Sequence, residues 1–117
     1  MGVAAVLTVA GHLPPMFPDQ FEYKIVEIAD HESYDLKQHF PDSIAYIEKV
    51  VKSGKRIYVH CFGGISRSAT TLIAYFMYAR RISLREAFSI VSSKRPCIKP
   101  NEGFIEQLRL FEEDLKK

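Results

Sequence analysis

The sequence predicts an α/β domain: a central, mostly parallel sheet flanked by helices. Three observations carry this. The short Val-rich run Val3–Val9 reads as a strand buried on both faces. Further along, apolar spacing switches between the two-residue period of strands and the roughly 3.6-residue period of helices. A strand, a glycine loop and a helix then follow one another in the middle of the chain. The 117 residues fit one domain, 1–117, large enough to bury a core without disulfides or metal.

Each element has its own local reason. Gly11 closes the first run, and Pro14, Pro15 and Pro18 mark a surface loop to Gln20. Phe21, Tyr23 and Ile25 alternate with Glu22 and Lys24, which predicts a second strand. Val26 breaks that alternation, through a bulge or deeper burial. Asp30 to Gln38 is polar and reads as an exposed loop with a short helical turn. Pro41 suits the first turn of a helix ending near Ser53, with Ile44, Ile47, Val50 and Val51 on one face and Gly54 as its stop. Arg56–His60 is a short strand, and the largely apolar stretch Arg67–Arg80 reads as a buried helix. Ser83 and Glu86 have capping-box spacing for a helix that carries Leu84, Ala87, Phe88 and Val91. Pro96 and Pro100 bracket a connection, and a last helix opens near Asn101 with Phe104, Leu108, Phe111 and Leu115 on one side.

Composition narrows the function. Apolar residues make up 47% and charged residues 26%, as in a soluble globular protein. A net charge of +2 gives no argument for nucleic acid. No run approaches the roughly 18 apolar residues of a membrane span, and the apolar start lacks the basic flank of a signal peptide. The two cysteines, Cys61 and Cys97, fit a reducing compartment, hence a cytoplasmic or nuclear setting. No cofactor is implied. A zinc site is disfavoured, because His60–Cys61 lacks a second pair of ligands. Nothing in the pattern specifies an oligomeric state.

The chemistry concentrates in His60–Cys61–Phe62–Gly63–Gly64–Ile65–Ser66–Arg67–Ser68. A strand ends, a loop turns, and a helix begins near Arg67. Successive loop amides from Phe62 to Ser66, converging with a helix N-terminus, form an anion cradle. Gly63 and Gly64 let backbone approach the ligand. Arg67 can grip two oxygens of a phosphate side by side. The same positive field favours the thiolate of Cys61. Thiolate and phosphate in one cradle suit attack on phosphorus and a phosphocysteine intermediate. A chance match to the five fixed residues His60, Cys61, Gly64, Arg67 and Ser68 in a chain this long is on the order of 10⁻⁵.

This loop resembles the Cys-x5-Arg loop of the protein tyrosine phosphatase superfamily, and its HCxxGxSRS form resembles the dual-specificity branch. The segment VEIADHESYDLKQHF resembles that branch's general-acid loop, and KPNEGFIEQL its late Asn-containing helix start. Together the likenesses cover most of the chain from Val3 onward. They imply a protein-tyrosine-phosphatase-like fold and a phosphatase acting on phosphotyrosine, and on phosphoserine or phosphothreonine, in phosphorylated proteins or peptides. They imply Asp30 as general acid, with His31, Glu32 and Asp35 as rivals in the same loop. Ser68 would help the cysteine leave, His60 would support the loop and tune Cys61, and Asn101 would brace the loop as well as cap its helix. Relatives in this branch carry a further strand and turn before the segment matching Val3–Val9. A sheet without that strand would leave edge backbone unpaired and favour association.

Three other functions compete. A phosphatase for lipid or RNA phosphates could use the same loop; lipid-phosphate-directed relatives often carry basic residues there, so the absence of Lys disfavours the lipid reading. Asp30 and the Ser66–Arg67–Ser68 run disfavour a rhodanese-type sulfurtransferase. The presence of Cys61, Arg67 and Asp30 together disfavours a binding module without turnover. Cys97 reads as a buried small residue, with a resolving-thiol role as the alternative.

Overall fold

A computed structural model describes residues 3–10, 22–27, 35–60 and 66–116, with side chains in the strands described only at Leu7 and Ile57. Three strands, β1 (Val3–Ala10), β2 (Glu22–Glu27) and β3 (Arg56–His60), pair in the order β2–β1–β3. Both pairings are parallel. The Val-rich run is thus the middle strand. β2 pairs with β1 without a shift from Glu22 to Glu27, so Val26 sits in regular register rather than at a bulge. Among the described residues, the register shifts between β1 and β3, near Val3 and Ala5.

The described residues also form four α-helices, α1 (Phe40–Lys52) between β2 and β3, then α2 (Arg67–Arg80), α3 (Leu84–Lys94) and α4 (Glu102–Leu115). α1 and α2 pack against each other and against β1 and β3, while α3 and α4 pack against α2. α2 is therefore the central helix of the described structure. Its Ala69, Ile73, Ala74 and Met77 are buried, whereas its last turn, with Tyr78 and Arg80, is exposed. Leu7, Ile73, Phe104 and Leu108 are fully buried, and burial of each such side chain stabilises by roughly 1.5–3 kcal/mol. Phe40 meets Phe111 edge-on at 5.1 Å, which joins the start of α1 to α4.

The helix ends follow local chemistry. Ser83 forms the expected capping box: its Oγ accepts from Glu86 N–H at 3.1 Å, and Glu86 Oε1 accepts from Ser83 N–H at 3.2 Å. Gly54 turns the chain after α1 with φ +81°, a conformation that glycine adopts freely. Asn101 caps α4, its Oδ1 accepting from Phe104 N–H at 2.8 Å.

Several sequence expectations are corrected. Val51 is 47% exposed, because α1 turns it past the edge of the apolar face held by Ile44, Ile47 and Val50. Leu115 is also exposed, in the last turn of α4. As expected, Pro41 falls in the first turn of α1, and a short 3-10 turn at Lys37–His39 leads into it. The Asp30–Gln38 segment is not exposed throughout, since Leu36 is buried in the core. Cys97 is exposed, not a buried small residue. It lies in the turn between α3 and α4, where Ile98 N–H bonds Arg95 O and Ile98 takes the buried position.

Candidate active site

Parallel pairing puts the carboxyl ends of all three strands at one edge. β1 ends at Ala10, opposite Glu27 of β2, and Thr8 lies opposite His60, the last residue of β3. Segments 11–21, 28–34 and 61–65 follow directly from these ends. Asp30, His31, Glu32, Cys61, Phe62, Gly63, Gly64 and Ile65 fall in those segments and lie outside the described residues. β2 and β3 flank β1, so their ends stand two strand spacings apart, about 10 Å.

The helix side of the site is described from Ser66. Ser66 is the N-cap residue of α2 and is buried, yet its side chain makes no cap hydrogen bond to its own helix. Instead its Oγ accepts the backbone N–H of Asn101 at 3.2 Å. The first turn of α2 also carries no acidic residue. Its amino terminus keeps the positive end of a 14-residue helix dipole without a carboxylate in that turn to neutralise it. Ser68 is fully buried in that turn. Arg67 is half-buried and makes polar contacts within the protein, while its Nε is buried with no acceptor of its own among the described residues.

Two threonines stiffen this start. Thr70 Oγ1 donates to Ser66 O at 2.7 Å, and Thr71 Oγ1 donates to Arg67 O at 3.0 Å. Both side chains are fully buried, so bonding back to the preceding turn satisfies their hydroxyls. Three of the bonds that hold Ser66 are those of Thr70 N–H and Thr70 Oγ1 to its carbonyl and of Asn101 N–H to its hydroxyl. Asp35, the rival acid that lies among the described residues, is exposed and accepts Gln38 N–H of the 3-10 turn at 3.2 Å.

The described residues give this site a strand end at His60 and the start of α2 at Arg67, and comparison with known proteins says which family carries that arrangement. Residues 1–114 match the family model described as dual specificity phosphatase, catalytic domain. The chain belongs to the dual specificity phosphatase family. It is 40% identical over 114 residues to dual specificity protein phosphatase 1B of Arabidopsis thaliana, covering 97% of this chain and 68% of the relative. It is 42% identical over 111 residues to human dual specificity protein phosphatase 2, covering 95% of this chain but only 35% of that protein. Among solved structures, human DUSP28 aligns with a TM-score of 0.94 and 36% identity over 99% of this chain and 78% of that one. The fold is that of the protein tyrosine phosphatase superfamily, and the activity is that of a protein phosphatase working through a phosphocysteine.

Within this dual specificity phosphatase domain, two features escaped the sequence reading. Ser66 was legible as part of the cradle, but its side-chain bond to Asn101 spans 35 positions and has no local signal. Thr70 and Thr71 did leave a signal: each stands four residues after the carbonyl it bonds, in an otherwise apolar helix.

Proposed function

We propose that the chain is a single catalytic domain, residues 1–117, in which Cys61 attacks the phosphorus of a phosphorylated protein side chain. The observation that carries this reading is the common edge of β2 and β3: the segments holding Asp30 and Cys61 begin there, and the amino terminus of α2 follows in sequence. Phe62 to Ser66 supply amides to the phosphate, and Arg67 clamps two of its oxygens. The Cys61 thiolate forms a bond to phosphorus as the bond to the leaving side-chain oxygen breaks. Asp30 gives that oxygen its proton. Water, deprotonated by the same carboxylate, then attacks the phosphocysteine, releasing inorganic phosphate. Ser68 donates a hydrogen bond to the departing thiolate. His60 supports the loop from the end of β3, and Asn101 braces it from α4.

The three described strands belong to a central sheet, and the substrates are phosphotyrosine and phosphothreonine or phosphoserine in proteins. A cytoplasmic or nuclear setting fits the two cysteines. Nucleic acid is not a partner, in keeping with the small net charge.

The test is turnover of matched phosphotyrosine and phosphothreonine peptides in the presence of a chelator. Cys61→Ser is expected to abolish release of phosphate, and Asp30→Asn to slow it by roughly 10²–10⁴-fold. Undiminished turnover by Cys61→Ser would remove the mechanism. Full activity in Asp30→Asn would move the acid role to His31, Glu32 or Asp35.

A further inference from the structure

We propose that Ser83 is a phosphorylation site for a basophilic protein kinase, one whose substrate groove carries carboxylates for arginines two and three residues before the target. The connection between α2 and α3 reads Arg80–Arg81–Ile82–Ser83–Leu84. Ser83 is the only serine or threonine in the chain with a basic residue at both of those positions. Thr70 has Arg67 three residues before it, but its side chain is fully buried and Ser68 occupies the second position.

The structure presents this segment to solvent. Arg80 and Arg81 are exposed, and Ser83 is half-exposed. Ser83 lines two surface grooves, of ≈ 650 and ≈ 670 Å³, so it is approached from both sides. Arg81 holds φ 53° and ψ 49°, the one positive φ outside glycine among the described residues. An extended, kinase-bound segment releases that strain. The two guanidinium groups would pair with carboxylates in the kinase groove as charge-assisted hydrogen bonds. In the reaction the Ser83 Oγ bonds the γ-phosphorus of ATP, the bond to ADP breaks, and the hydroxyl proton passes to the kinase.

The phosphorylated hydroxyl lies far from the catalytic cradle. α2 has 14 residues and its amino end holds Arg67, so the two sites stand about 20 Å apart. The proposal does not depend on the phosphatase reading, but the test uses Cys61→Ser protein so that no phosphatase activity can erase the mark. The folded protein is incubated with ATP and a kinase known to require paired arginines, and the modified residue is mapped by mass spectrometry. Phosphate is expected on Ser83, approaching one per chain. Ser83→Asn keeps a capping oxygen at this position and should take none. Arg80→Gln with Arg81→Gln should lower the initial rate by roughly tenfold or more. Phosphate on another residue, or a rate indifferent to the arginines, overturns the proposal.

Discussion

Ser66 shows how much one hydroxyl can decide. As the residue before α2 it would ordinarily cap its own helix. Here its Oγ accepts Asn101 N–H instead and makes no cap bond to α2. Ser66→Ala removes the acceptor and leaves a partly buried backbone donor without it, at a cost of about 1–3 kcal/mol. The expected outcome is a lower melting midpoint together with weaker vanadate inhibition, because the cradle loses its tie to α4. Asn101→Ala, which keeps the backbone donor but removes the Oδ1 cap on Phe104 N–H, should cost about 1 kcal/mol in stability. Titration of both variants with vanadate, alongside thermal melts, separates the cradle tie from the cap. Equal vanadate affinity in Ser66→Ala and wild type would disprove the tie. The candidates Cys61, Gly63, Gly64 and Arg67 were readable because they stand close together in the sequence. The partner of Ser66 was not, because a bond between residue 66 and residue 101 leaves no trace in local spacing.

At the scale of elements, the same division between local and distant chemistry decides what could be read. The capping box of α3 was legible because Ser83 and Glu86 are three residues apart and bond each other. The second support of that helix start was not: Leu84 N–H donates to Glu112 Oε2 at 2.8 Å, across 28 positions, from α4. A carboxylate there satisfies an orphan donor and meets the positive end of the α3 dipole. Lys37 likewise joins the 3-10 turn to α4, with its N–H on Gln107 Oε1 at 2.8 Å and its Nζ on Asp114 at 2.7 Å. The ion pair is partly exposed and is worth about 0.2–1 kcal/mol. Glu112→Ala should therefore lower stability by about 1–2 kcal/mol. Glu106→Ala, which loses only an exposed pairing with Arg109, should stay within about 0.5 kcal/mol of wild type. Urea unfolding of the two variants checks the contrast, and similar midpoints would refute it.

For the molecule as a whole, periodicity located the helix faces, but not how their ends are used. Val51 and Leu115 continue apolar stripes that the sequence placed in the core, and both are exposed because each stripe outlasts the surface it packs on. Leu36 is the reverse case: a lone apolar residue in a polar stretch of sequence, buried where the adjoining 3-10 turn packs against α1 and α4. Cys97 was misjudged for a related reason, since its neighbour Ile98 takes the buried position of that turn. The α4 helix allows this distinction to be tested with one residue type. Leu108 is fully buried and Leu110, two positions on, is 50% exposed. Leu108→Ala should cost about 2–5 kcal/mol, through lost burial and the cavity left behind, whereas Leu110→Ala should cost less than about 0.5 kcal/mol. Cys61→Ser changes only the nucleophile, and its expected signature is the opposite one: a melting midpoint near wild type with no turnover. Leu108→Ala, measured well below its own midpoint, should retain most of its turnover per folded molecule, because the bond from Asn101 N–H to Ser66 and the loop itself do not include Leu108. Loss of turnover in step with α4 packing, in a fully folded Leu108→Ala protein, would instead mean that the cradle is set by the core as a whole rather than by the residues at its rim.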